Sequence, residues 1–65
     1  MAAKFWVGGG TNTNWNSSPT TNWANISGGT GNQTAPATGD DVTFDNASGT
    51  TASVWNTAIS LNSLT

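Results

Sequence analysis

Apolar and polar residues alternate in only three short stretches of this 65-residue chain. The first is residues 4–7, where Phe5 and Val7 share one face of an extended segment and Lys4 and Trp6 the other. Gly8-Gly9-Gly10 ends it and permits a sharp change of direction. The second is Asp41 to Asp45, with Val42 and Phe44 inward and Thr43 and the flanking aspartates outward. The third runs from Ala52 to Leu64, with its strand over residues 53–61. Trp55, Ile59 and Leu61 share odd parity there, and the shift of parity at Leu64 predicts a bend near Asn62. Asn46-Ala47-Ser48-Gly49 reads as the turn between the second and third strands. No stretch carries a capped 3.6-residue period, so no helix is predicted.

The segments between these strands are long and polar. Residues 11–27 repeat one tripeptide, Thr13-Asn14-Trp15 and Thr21-Asn22-Trp23, on either side of a Ser17-Ser18-Pro19-Thr20 turn. Two extended segments joined by that turn would bring their indoles together. Residues 28–39 are a loop rich in glycine and other breakers. The pattern predicts an all-β fold of short strands with long Gly/Asn/Thr-rich loops. Its form is either β-solenoid-like or a strand-adding segment ordered by assembly. Residues 1–65 make a single small β segment. The chain stops at Leu64-Thr65 inside an apolar alternation and without a turn, which reads as the N-terminal part of a longer protein.

Composition narrows the function. Asn, Thr, Ser and Gly account for 36 of the 65 residues. Charged residues are 6% of the chain against about 25% in ordinary soluble domains. One Lys and no Arg give no basic surface for nucleic acid. No apolar run approaches the roughly 18 residues that span a membrane. The absence of Cys removes disulfides, thiolate zinc sites and thiol nucleophiles, and the absence of His removes the commonest general base. An enzyme is therefore not expected, nor a cofactor. The large apolar side chains are few for a lone core of this size, and a surface so poor in charge suits packing among neighbours better than dispersal in water.

The candidate chemistry is of three kinds. Asp40, Asp41 and Asp45 are the only carboxylates. Their spacing is not that of a calcium loop, and they read as residues that open and close a strand; no metal site and no catalytic pair is assigned to them. Four Asn-x-Ser/Thr sequons, at Asn16, Asn25, Asn32 and Asn46, are what a chain so rich in these residues contains by chance. The tryptophans are the third kind. Trp55, flanked by strand residues, reads as core, whereas Trp15 and Trp23, in polar surroundings, suit a core or an interface equally.

Phe5-Trp6-Val7-Gly8-Gly9, Asn14-Trp15, Asn22-Trp23, Gly28-Gly29, Pro36 and Gly39-Asp40-Asp41-Val42-Thr43-Phe44-Asp45 form an ordered series. That series resembles the opening of a group of tailed-phage virion proteins, in which such a pattern leads into repetitive β-structure. It is similar also to the autotransporter-associated β-strand repeats of bacterial surface proteins. The series departs from the pattern at Gly10 and in the Thr/Asn-rich insert before Trp15. The resemblance implies a non-enzymatic structural protein of a bacteriophage virion, either capsid decoration or a component of the tail or its fibres. It supplies no catalytic residues. The expected partners are other virion proteins or copies of the same chain, in a homo-oligomer or larger assembly, without nucleic acid or membrane. The expected interface residues are Phe5, Trp6, Val7, Trp15 and Trp23. The rival reading is a surface adhesin that binds glycans through Trp15 and Trp23.

Overall fold

A computed structural model describes residues 2–48 and 53–65 of the chain. Four short strands form one mixed sheet: β1 (Ala3–Trp6), β2 (Trp23–Ala24), β3 (Asp41–Thr43) and β4 (Ser63–Leu64), in the spatial order β2-β1-β3-β4. The β-rich class expected from the alternation is observed, and the described residues hold no α-helix, only a single 3-10 turn at Asn46–Ser48. That turn occupies the expected connection, and Gly49 lies outside the described residues.

The strands pair with two polarities. β2 runs antiparallel to β1, with Trp6 opposite Trp23 and Phe5 opposite Ala24. β3 runs parallel to β1, Lys4 beside Val42, and β4 runs parallel to β3, Val42 beside Leu64. The column of neighbours Lys4, Val42 and Leu64 therefore lies on one face of the sheet, with Trp6 and Trp23 on the same side. Trp6, Trp23 and Val42 are at most 1% exposed, and Lys4, on the same face, is buried with them. Phe5 takes the opposite face and is half-buried.

A second parallel contact lies away from the sheet. Asn14 pairs with Val54 in an isolated parallel bridge. The Trp15 amide donates to the Val54 carbonyl at 2.7 Å, and the Val54 amide to the Thr13 carbonyl at 2.9 Å. Residues 13–16 and 53–56 thus lie side by side, separated in sequence by 38 to 40 residues, as are Ala2 and Asp40 at the sheet. Further along, residues 60–65 follow residues 38–44 at a separation of about 22 residues.

Two expectations are corrected. The strand expected over 53–61 is reduced to the bridge at Val54, and regular pairing resumes only at Ser63–Leu64; Ala52 lies outside the described residues. A straight strand of nine residues would measure about 30 Å, whereas the longest dimension of the molecule is 24 Å. The chain must bend to carry Val54, beside Asn14, round to Ser63, beside Asp41. The tripeptide repeat brings Trp15 and Trp23 together, with ring centroids 5.2 Å apart, but not as a hairpin. The second copy pairs with β1 and the first with Val54.

Backbone conformation and crowding account for the triple glycine. Gly8 and Gly9 hold φ of +75° and +84°, a left-handed conformation that side chains resist. A Cβ on Gly10 would sit 2.7 Å from Asn22 Oδ1 and 2.8 Å from the Thr20 carbonyl oxygen, so the backbone passes where no side chain fits. Gly10→Ala should therefore lower stability by roughly 1–3 kcal/mol, the usual cost of overpacking, read as a lower urea midpoint at unchanged slope. An unchanged midpoint would mean that Asn22 moves aside freely.

Candidate functional site

The four tryptophans and Phe44 gather in one place. Trp23, fully buried, meets Trp6 and Trp15 edge-to-face, each at 5.2 Å between centroids, and Phe44 at 6.0 Å. Phe44 also stacks on Trp6 at 5.8 Å. Trp15 is covered on its other side by Trp55, with rings 4.7 Å apart and 8° from parallel. Such edge-to-face and offset contacts are the favoured arrangements of aromatic quadrupoles. Each of the four tryptophans comes from a different segment, so the cluster ties β1, the loop before β2, β2 and the segment after β3 together.

The indole N–H groups are used unevenly. Trp23 Nε1 donates to the Trp15 carbonyl at 2.9 Å, and Trp15 Nε1 donates to Ser53 Oγ at 3.2 Å. Trp6 Nε1 is buried with no hydrogen-bond partner among the described residues. Such a group costs about 1–3 kcal/mol relative to a satisfied one.

Of the residues expected at an interface, Trp6, Trp15 and Trp23 are 1%, 3% and 0% exposed and form the core of the chain itself. Their rings are already engaged by one another and by Phe44, which leaves no open face on Trp15 or Trp23 for a sugar. Phe5 and Val7 are half-buried on the opposite parity of the first segment. Trp55, expected in the core, is 47% exposed. It covers Trp15 with one face, and no other aromatic ring stacks on it among the described residues. The two most apolar-looking residues of the first strand are thus less buried than Lys4 and Trp6. The reason is register: Trp6 faces Trp23 across the antiparallel pair. Lys4 is tolerated on that face because its Nζ donates to Thr34 Oγ1 at 2.8 Å and Asn25 Oδ1 at 3.1 Å, which offsets the loss of water.

Polar side chains perform the joining that longer strands would otherwise supply. Asn22, 2% exposed, donates through Nδ2 to the carbonyls of Asn12 (2.8 Å) and Asn14 (3.0 Å) and accepts from the Gly10 amide (2.8 Å). One carboxamide therefore ties Gly10, Asn12 and Asn14 together within the loop after β1. Asp40 accepts from the Ala37 amide at 2.8 Å and the Ala2 amide at 2.9 Å. These donors hold its carboxyl below the usual range, the Ala37 amide most, with Lys4 helping and burial opposing. Asp41 accepts from Asn62 Nδ2 at 2.6 Å and Ser63 Oγ at 2.8 Å, joining β3 to β4, and these bonds lower its pKa too, Asn62 most. Asp45 accepts from the Ala47 amide at 3.0 Å at the start of the 3-10 turn and from Ser27 Oγ at 2.6 Å. Each carboxylate is thus engaged by donors of the chain, and no group of three acidic or imidazole ligands that could hold a metal occurs among the described residues.

Both the aspartates and the tryptophans yield measurable outcomes. Asp40 and Asp41 have folded-state pKa values below their unfolded values, so their contribution is complete above about pH 4 and is lost as pH falls through the folded-state values. Urea midpoints should stay flat from neutrality to about pH 4 and decline below it, and Asp40→Asn should be less stable at neutral pH with a shallower acid decline. A decline of unchanged steepness in Asp40→Asn would show that its carboxylate is not involved. Trp6→Ala should cost about 3–5 kcal/mol, a large part of the roughly 3–10 kcal/mol available to a domain of this length. Far-ultraviolet circular dichroism should then show a largely unfolded chain. No known protein family, curated protein or solved structure matches this chain.

Proposed function

We propose that this chain is a non-enzymatic structural element of a bacteriophage virion, in the capsid decoration or the tail and its fibres. In this reading it is built as the opening turns of a β-solenoid. The observation that carries the structural half is the repeated parallel pairing. β1, β3 and β4 lie side by side in one direction, and the Asn14–Val54 bridge repeats the first of those steps on another side of the molecule. Successive coils of one chain, each covering the one before, produce that arrangement, and stacked repeats bury through neighbours what none buries alone.

The virion half rests on the resemblance of the ordered Trp-Val-Gly-Gly to Asp-Asp-Val-Thr-Phe-Asp series, together with the chemistry of the chain. A surface built from Asn, Thr, Ser and Gly hydrogen-bonds readily and carries little charge to repel other copies. The side chains that an enzyme would use are instead engaged in holding loops, as Asn22, Asp40 and Asp41 are. The partners in this reading are other virion proteins or copies of the same chain, and the location is the particle.

Peptides of the chain should be recovered by mass spectrometry from density-purified particles, at a fixed ratio to the major capsid or tail protein. In particles assembled with Trp6→Ala the ratio should fall severalfold, because the anchor of the fold is gone. Absence from purified particles of a phage that encodes the chain would overturn the virion reading.

A further inference from the structure

The stack has one closed end and one open end. β2 lies antiparallel on the outer side of β1, and both its residues, Trp23 and Ala24, are fully buried. A parallel strand arriving at that end finds β1 already paired. At the other end β4 has β3 on one side and no strand on the other among the described residues.

The side chains agree, column by column. Val42, flanked by Lys4 and Leu64, is fully buried, whereas Leu64, with a neighbour on one side, is 55% exposed. Trp15, covered by Trp55, is 3% exposed, whereas Trp55, covered on one face, is 47% exposed. Val54, beside Asn14, is 49% exposed. In both columns a residue is buried when a later coil covers it, and the last member is left open. The Trp15–Trp55 separation of 4.7 Å, with rings 8° from parallel, matches the ~4.7–4.9 Å between adjacent strands. The free face of Trp55 is thus spaced to receive one more ring at the same step.

Resting on the solenoid reading, we propose that the end face formed by the outer edge of β4, Leu64 and the free face of Trp55 is a docking surface for a further β-coil. That coil runs parallel to residues 53–65, with a flat aromatic side chain over Trp55 and an aliphatic one over Leu64. Continuity decides the polarity. β1 to β3, β3 to β4 and Asn14 to Val54 are all parallel steps, so the occupant that prolongs them is parallel as well. A second copy cannot supply it from its own first strand, because β2 occupies that edge. Exposed backbone on an edge strand gives affinity, and side chains above alternate pockets give selectivity, as in other strand additions.

The probe is a synthetic peptide with the sequence of residues 53–65, which carries a Trp and a Leu at the required separation, titrated into the 65-residue chain. Binding should slow hydrogen exchange at the Ser63, Leu64 and Thr65 amides and reduce quenching of Trp55 by acrylamide. A nitroxide at the peptide's C-terminus should broaden the Ser63–Thr65 amides rather than those near Val54. Trp55→Ala and Leu64→Asp should each weaken binding about tenfold or more, while exchange at Trp23 and Val42 stays as in the parent chain. The proposal is overturned by absence of binding at millimolar peptide, by binding that neither substitution weakens, or by broadening near Val54, which would mean an antiparallel occupant. A 65-residue chain that pairs β4 with β4 of a second copy in antiparallel fashion would overturn the parallel occupant. Failure here leaves the presence of the chain in virions untouched, and a chain absent from virions that still takes the peptide loses only its assignment to the particle.

Discussion

The fully buried indole of Trp23 is the contact on which the other parts depend. It touches Trp6, Trp15 and Phe44, and its N–H donates to the backbone of Trp15. The described residues form four strands of two to four residues, which leaves little ladder to hold them together. Large planar side chains compensate. Each supplies much buried area from one residue, and their edge-to-face contacts select an arrangement as well as an energy. The radius of gyration, 10.2 Å, is close to the ~11 Å of an ordinary domain of this length, so these few rings suffice to draw the loops in.

The loops are fastened by side chains in place of strands. Asn22 satisfies two carbonyls and one amide of residues 10–14, which lie outside the sheet. Asp40 and Asp41 sit at the junction of three segments and bind the chain's start, the turn before β3 and the approach to β4. This is why the abundance of Asn, Ser and Thr is compatible with order here. These residues bond to the backbone locally and across loops, which disfavours regular elements but suits a fold made of turns.

The asymmetry of the two ends gives the molecule a direction. An antiparallel strand covers the first edge with two fully buried residues, and three of the four exposed large apolar side chains among the described residues, Val54, Trp55 and Leu64, belong to the last part of the chain, the fourth being Ile26 just after β2. Sheets that leave an edge open usually protect it with charge, proline or twist. β4 has none of the first two, and its two residues, Ser63 and Leu64, are exposed. The same feature that would be a liability in a solitary domain is a joining surface in one that stacks.

What the amino-acid order determined by itself was the local grammar. Alternation placed strands near residues 4–7 and 41–45, where Ala3–Trp6 and the shorter Asp41–Thr43 are found, the glycine run marked the end of the first, and the lack of a helical period agreed with the absence of α-helix among the described residues; the repeated Asn-Trp foretold that Trp15 and Trp23 would meet. All of these rest on backbone conformation and nearest-neighbour periodicity, which act over a few residues. The tertiary structure decided which face of each strand is inside. It put Lys4 and Trp6 within and left Phe5 half-covered, because burial depends on the partner across the sheet, here Trp23, some 17 residues away. It moved the last strand from 53–61 to Ser63–Leu64, because the chain had to turn within a body 24 Å long. It also set Trp55 outside and Trp15 inside, because Trp15 is closed in by Trp23 and Phe44 as well as by Trp55, whereas among the described residues Trp15 is the one ring stacked on Trp55.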